Sequence, residues 1–299
     1  MWFNQLTFYR INPAQMPDAA TLSSALQQRP FNPCLGLDWF SEGWGAAASH
    51  SDEFLLKVRN ALLLALKRED KVLPAGVIRD LLDAKVTQIE EQEFRKIGRK
   101  EKLALKEQIT DDLLPRAFTR SSRLAAMIDT QRNWLMVDSA TASKAENLLS
   151  CLRDASTAFP AALVHTNLSP QSAMTDWLIN GDGPGGFALD NDCELKAAGD
   201  NGAVIRCSRQ DLTAEEVQQH LKNGKQATKL GLVWRERIRF VLTESMQLKR
   251  LQFLDVIQEE AAQAGDDMAS LNEATLLLMA EELGGLVDEL IEVLGGEQK

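Results

Sequence analysis

Hydrophobic positions along the chain follow two periods, and the period changes from segment to segment. From Trp2 to Ile11 aromatic and apolar residues alternate with polar ones, which predicts a strand ended by Pro13 and Pro17. Asp18 to Gln28 predicts a short helix, and Gly43 to Ser51 a loop or edge strand. Phe54 to Lys67 is mostly apolar and predicts two strands with a turn at Arg59-Asn60. Pro74 suits the first turn of a helix, where a missing N–H costs nothing. Val77, Ile78, Leu81, Leu82, Val86 and Ile89 then recur at helical spacing. From Glu90 to Lys106 the helix is charged nearly all round, with Gly98 as a break, and Leu113-Leu114-Pro115 ends it. A helix without an apolar stripe has little core to touch, so this segment is predicted to project from the body.

Leu124 to Asp129 and Trp134 to Asp138 predict a hairpin around Gln131-Arg132-Asn133. Helices are predicted over Ser143 to Ala155 and Ala173 to Asn180, followed by the loop Gly181 to Gly186. Short strands then dominate: Phe187 to Leu189, Ala203 to Cys207, Thr228 to Trp234, Ile238 to Thr243 and Leu248 to Phe253. One helix interrupts them, with Thr213 and Glu216 spaced as a capping box and Gly224 placed to end it. The last helix is predicted to start at Ser270, with Glu273 completing a capping box. Its stripe is Leu276, Met279, Leu283, Leu286, Leu290 and Leu294, and Gly295-Gly296 stops it. The expected class is α+β, with antiparallel sheets, flanking helices and a charged helical protrusion. The subregions are a sheet and helix body (1–73 and 124–180), the protrusion (74–123), a strand-rich basic region (181–269) and a C-terminal acidic helix (270–299).

Composition adds little to this, but charge distribution adds much. Apolar content of 44% and charged content of 25% suit a folded chain. No apolar run is long enough to span a membrane, and the first residues lack a signal-peptide pattern, so a cytoplasmic location is expected. The net charge of −10 is unevenly spread. Residues 57–123 hold 16 basic and 11 acidic residues, and 203–252 hold 10 and 5, a net of +5 each. Residues 253–299 hold 1 and 12, a net of −11. Such segregation predicts a basic surface on an acidic body.

Signals for catalysis are weak. Ser49-His50-Ser51-Asp52 places triad residue types side by side, but a triad must converge in space. His165 and His220 lack metal-ligand neighbours, and the four cysteines form no close pair in sequence, so buried thiols are expected. Gly181 to Gly186 lacks the lysine of a phosphate-binding loop. Paired acids (Asp111-Asp112, Glu215-Glu216, Asp266-Asp267, Glu281-Glu282) could be imagined as the magnesium ligands of a nuclease, although a solvated helix face is the simpler reading. No catalytic residue, metal site or cofactor is expected.

The basic residues carry the functional reading. Arg116, Arg120 and Arg123 cluster around Phe118. Arg206 and Arg209 end a strand, Lys222, Lys225 and Lys229 follow the capped helix, and Lys249 and Arg250 lie on a later strand. Arg235, Arg237 and Arg239 alternate, which predicts that they project from one face of a strand. No helix-turn-helix, zinc-finger or RNA-recognition signature is present, so nucleic-acid binding would rest on phosphate contacts with little sequence discrimination.

Several motifs in fixed order resemble one family. They are Met1-Trp2-Phe3 with Tyr9-Arg10, Ser49-His50-Ser51-Asp52, Leu113-Leu114-Pro115-Arg116-Ala117-Phe118, Gln210-Asp211-Leu212-Thr213, and Thr228-Lys229-Leu230 through Trp234 and Arg237 to Leu248-Lys249-Arg250-Leu251. Together they resemble RdgC, the bacterial recombination-associated protein family, over the full length. The resemblance implies a cytoplasmic, nucleoid-associated, non-catalytic protein without cofactor that binds duplex DNA, with single-stranded DNA as a second candidate partner. It implies a horseshoe-like subunit of a homodimer closed into a ring, and restraint of RecA-promoted strand exchange. It would put Phe118 at the tip of the protrusion, closing a dimer contact, with Arg209 and Gln210 near the same gate. Arg209 stands where the family pattern leads one to expect lysine. The acidic tail is expected on the outer surface. Two rival readings are a metal-dependent nuclease and a protein-interaction module acting directly on the recombinase.

Overall fold

The computed structural model describes residues 2–156, 159–199, 201–262 and 267–298. In chain order its elements are β1 (Thr7–Ile11), α1 (Ala19–Gln27), β2 (Phe40–Gly45), β3 (Leu55–Val58), β4 (Ala61–Val72), α2 (Ala75–Glu93) and α3 (Arg99–Leu113). There follow β5 (Phe118–Asp129), β6 (Trp134–Val137), α4 (Ala142–Ala155), β7 (Ala161–Ala162), α5 (Pro170–Asn180), β8 (Phe187–Lys196) and β9 (Val204–Ser208). The last are α6 (Glu215–Lys222), β10 (Gln226–Trp234), β11 (Ile238–Thr243), β12 (Leu248–Phe253), α7 (Asp255–Ala262) and α8 (Met268–Val293).

The strands form two antiparallel sheets. One has the order β2-β4-β5-β6-β1-β7, with β3 also pairing β4, and the other the order β12-β11-β10-β8-β9. The segment before β1 joins them, because Leu6 exchanges both backbone hydrogen bonds with Leu248 of β12 (2.8 and 2.9 Å). The alternating run from Trp2 to Ile11 therefore serves two sheets in turn.

Alternation also explains the unbroken apolar run of β4. Leu63 packs into the core between the sheets, with Met127, Trp134 and Met136 on one side and Leu230, Leu232, Trp234 and Phe240 on the other. Leu62 and Leu64 point the opposite way, into a second core closed by Leu22 and Leu26 of α1 and Leu148, Leu149 and Leu152 of α4. A strand buried on both faces has no polar positions to alternate with.

The acidic C-terminal helix, expected on the outer surface, has two faces: Glu273, Glu281, Asp288 and Glu292 are exposed, while its apolar stripe and Glu282 are buried. The stripe of α8 (Leu276, Met279, Leu283, Leu286, Leu290) is buried in the core between the sheets. Its acids hold both sheets. Asp288 accepts the indole N–H of Trp134 (2.7 Å), and its neighbour Glu289 accepts that of Trp234 (2.8 Å). Gly284 and Gly285 give the room. A Cβ on Gly284 would sit 2.8 Å from Arg132 and Asp129, and one on Gly285 would sit 3.3 Å from the Trp234 ring. Mid-helix glycines ordinarily cost stability. Here close approach on both sides requires them.

The helical protrusion is present as an antiparallel pair, α2 and α3, inserted between β4 and β5. Helix α3 buries none of its side chains, and α2 only Ile78 and Val86. Strands β4 and β5 run beyond the predicted Lys67 and Leu124 to form a twelve-residue ladder ending at Val72 opposite Phe118. Two predicted caps move. Helix α8 is capped by Asp267, which accepts the Ser270 N–H (2.7 Å), and not by Ser270. Helix α6 starts after Ala214, while the Thr213 hydroxyl bonds Asp211 (2.7 Å).

Candidate nucleic-acid interface

The twelve basic residues expected at the DNA surface divide into two sets of six. Arg116, Arg120, Arg209, Lys222, Lys225 and Lys249 make no ion pair with any described residue. Arg123, Arg206, Lys229, Arg235, Arg237 and Arg239 are held by groups of the protein itself.

Five of the first set lie on two parts of the fold, and Lys249 lies on a third. Arg116 closes the short 3-10 turn after α3, and Arg120 stands two residues into β5, beside Phe118. Asp70 lies opposite Arg120 in the ladder, but Arg68 holds it (2.8 Å), so Arg120 keeps its charge exposed. Lys222 and Lys225 flank the end of α6, and Arg209 follows the edge strand β9. Lys249 is half-buried on β12.

The second set departs from the sequence reading. Arg235, Arg237 and Arg239 do not alternate on one strand face. Arg235 and Glu236 both have positive φ (48° and 56°) and, with Arg237, form the three-residue turn between β10 and β11. Only Arg239 lies within a strand. Arg235 pairs with Glu289 (2.7 Å) and Arg239 with Asp190 (3.3 Å). Arg237 is clamped between Glu260 (2.8 Å) and Glu282 (2.9 Å), which raises its pKa. With only 27% of its side chain exposed, it ties the turn to α7 and α8. Arg123 donates to the Ala47 carbonyl, and burial pushes its pKa down.

Arg206 and Lys229 share one carboxylate. Register places Arg206 (β9), Glu194 (β8) and Lys229 (β10) side by side across three strands. Glu194 accepts from Arg206 Nε (2.7 Å) and from Lys229 Nζ (2.9 and 3.0 Å). Burial pushes the Glu194 carboxyl up, but hydrogen bonds from Lys229, Arg206 and Thr228 outweigh it and hold the pKa at about 2. Exposed ion pairs are weak, so a phosphate can compete for Arg206, whose side chain is 76% exposed.

Phe118 is 86% exposed, which excludes a core role. It stands at the foot of the helical pair, at the strand end of the ladder, and not at the protrusion's tip. Residues 94–98 form that tip. Gln210 donates to Glu216 in the first turn of α6 (3.0 Å) and is half-buried, while Arg209 is exposed with φ 56°.

The same geometry shows which basic residues the sequence reading passed over. Lys96, Arg99, Lys100, Lys102 and Lys106 are exposed around the tip and the first half of α3. Their run, with Glu101 as the one acid from residue 95 to 106, was legible as charge but was absorbed into a polar helix. For the chemistry considered earlier, the geometry offers little. Among the described residues no group of three or more His, Cys, Asp or Glu side chains could hold a metal ion. No helix is long and apolar enough to cross a membrane. The four cysteines are free thiols, as expected, with Cys34, Cys193 and Cys207 buried and Cys151 half-buried, and Cys193 and Cys207 face each other across β8 and β9. Burial pushes the Cys193 thiol up to about 12.

Comparison with known proteins places these features. The family model described as "Putative exonuclease, RdgC" matches residues 1–297. A recombination-associated protein RdgC from Laribacter hongkongensis is 58% identical over 298 residues, covering 99% of each chain. The protein of that name from Neisseria gonorrhoeae is 54% identical over 298 residues, and that from Cupriavidus pinatubonensis 38% over 299, each covering 100% of both chains. With a two-sheet α+β fold, a helical protrusion and similarity along its whole length, the chain belongs to the RdgC family of recombination-associated proteins.

Proposed function

We propose that this protein binds DNA through the phosphate backbone, with little sequence discrimination, no cofactor and no chemistry on the DNA. It acts as a homodimer whose horseshoe-like subunits close into a ring around the duplex, in the cytoplasm and on the nucleoid. By occupying DNA it restrains RecA-promoted strand exchange. One observation carries the reading. The expected cations without an ion pair fall largely on two elements, the β5 end of the protrusion and the β9–α6 edge, while three acids of α8, Glu282, Asp288 and Glu289, are paired with arginines of the protein itself. A chain with a net charge of −10 thus keeps exposed cations where DNA can reach them. Exposed Phe118, beside Arg116 and Arg120, supports a contact with a second copy at that end.

A salt series tests the mechanism. Each phosphate neutralised contributes a slope of roughly −0.9 to log K against log[salt]. Arg116→Gln with Arg120→Gln is expected to flatten the slope by about 2 units, and Lys222→Gln with Lys225→Gln to do the same. Affinity that barely changes with salt would overturn the proposal. Incubation with duplex and single-stranded DNA plus Mg²⁺ or Mn²⁺ is expected to leave the DNA intact, and strand cleavage would favour the nuclease reading. RecA binding without DNA, insensitive to these charge changes, would favour the interaction module.

A further inference from the structure

Two of the four cysteines stand opposite each other. Cys193 of β8 and Cys207 of β9 are direct partners in an antiparallel ladder, between the pairs Asp192–Ser208 and Glu194–Arg206. Opposed residues point to the same face of a sheet. Here that face is the core, and the two residues are only 5% and 8% exposed. The other two cysteines each have an oxygen partner. The Cys34 thiol donates to the Glu69 carbonyl (3.1 Å), and the Cys151 thiol to the Glu42 carboxylate (3.7 Å). The Cys193 thiol has the Cys207 thiol beside it instead.

Ladder geometry meets what a disulfide needs. Directly opposed Cα atoms of an antiparallel pair lie about 4.5 or 5.5 Å apart, according to whether the pair exchanges backbone hydrogen bonds. Bridged cysteines span roughly 4.4–6.8 Å between Cα atoms, so either case closes without moving the backbone. The strand concerned is also well placed to open. β9 is the edge of its sheet, hydrogen-bonded to β8, and is five residues long with Val204, Arg206 and Ser208 exposed. Short edge strands sit toward the low end of local stability.

We infer that Cys193 and Cys207 are an oxidisable pair, which a peroxide converts into a cross-strand disulfide that pins the edge strand β9 to β8. Opening of β9 lets one thiolate attack the peroxide, which breaks the O–O bond, gives a sulfenic acid and releases one water. On reclosing, the second sulfur attacks the first, forms the S–S bond and displaces a second water. Two electrons pass from the sulfurs to the peroxide oxygens, and both thiol protons leave in the waters. Burial keeps the Cys193 thiol protonated while β9 is closed, so strand opening sets the rate. In a reducing compartment the pair rests as two thiols, and the bond records exposure to oxidant. Arg206 and Arg209 bracket Cys207, so the bond fixes the segment that presents both.

The test uses the full reduced chain, hydrogen peroxide as the oxidant, and alkylation in denaturant to trap the thiols that remain. Trypsin cuts after Lys196 and Arg206, so the bond is read as a link between two peptides. The expected result is a Cys193–Cys207 link in most molecules within hours, reversed by dithiothreitol, with Cys34 and Cys151 still alkylated. Cys207→Ala is expected to abolish the link, and Cys34→Ala with Cys151→Ala to keep it. The bond closes a loop of about 15 residues, so oxidation is expected to raise the melting temperature by about 5 °C. Amide exchange across β9 is expected to slow about tenfold. Both thiols still alkylated after peroxide, a link to Cys34 or Cys151, or closure only in denaturing urea would each overturn the inference. An unchanged melting temperature with the link in place would overturn the pinning. Salt-dependent DNA binding by the reduced chain is decided separately, so failure here leaves the proposed function standing.

Discussion

Replacing Glu194 with glutamine keeps the side chain's size and removes its charge from the middle of the Arg206–Glu194–Lys229 row. The carboxyl sits at about 2 against a usual value of 4.5, so the folded state binds its proton less tightly than the unfolded chain. A shift of that size corresponds to about 3 kcal/mol. Glu194 is only 15% exposed, but its partners are wetter, and solvent screening reduces the expected loss to about 1–2 kcal/mol. A folded pKa below the unfolded one means stability that is full above about 4.5 and lost as the pH falls toward about 2. Urea unfolding of both proteins between pH 7 and pH 3 is the assay. The variant is expected to be weaker at pH 7, with a melting temperature lower by about 2–4 °C, and the gap to close with acid. A gap independent of pH would refute the electrostatic account. The same change releases two cations, so the salt slope of DNA binding is expected to steepen by about 1–2 units. An unchanged slope would mean that Arg206 and Lys229 face away from the DNA.

Three further outcomes follow from the geometry. Arg237→Ala leaves Glu282 buried without its partner and is expected to cost about 3 kcal/mol in chemical unfolding, with DNA affinity per folded molecule and salt slope unchanged. A slope flattened by one unit would return Arg237 to the DNA surface. Gly43→Ala places a Cβ 2.6 Å from the Phe31 backbone, where no flexible side chain can yield, and is expected to cost about 1–3 kcal/mol; unaltered stability would refute that close approach. Burial holds the Cys193 thiol up near 12 and the Cys151 thiol up near 11, so iodoacetamide at pH 8 is expected to label both only after denaturation. Rapid native labelling would show that either thiol is accessible.

The helices were largely legible, because their apolar stripes report the faces they bury. Helix α4 was placed to within a residue, and α5 only three residues short. The strands were legible only where they cross the core. β4, β5 and β8 were read as ending at Lys67, starting at Leu124 and ending at Leu189, yet each runs six residues or so beyond. The missing lengths of β4 and β5 bury no side chain, and that of β8 buries only Cys193 and Leu195, set between charged residues. Hydrophobic alternation records burial of one face, and a ladder of backbone hydrogen bonds in solvent leaves no such record.

Charge followed the same division. Sequence alone determined that basic residues concentrate in two segments, that the acid concentrates at the C-terminal end, and that the motifs resemble one family. Only the tertiary structure decided which charges remain available. Arg237 and Glu282 stand 45 residues apart, and Asp288 meets a tryptophan 154 residues away. Folding engages Glu282, Asp288 and Glu289 of α8 with arginines and indoles of both sheets, so the inner face of the helix became the bar between them, while Glu273, Glu281 and Glu292 stay exposed. A count along the chain cannot see those pairings, because an ion pair depends on a few ångströms of separation and on exclusion of water, and both exist only once the sheets have closed on the helix.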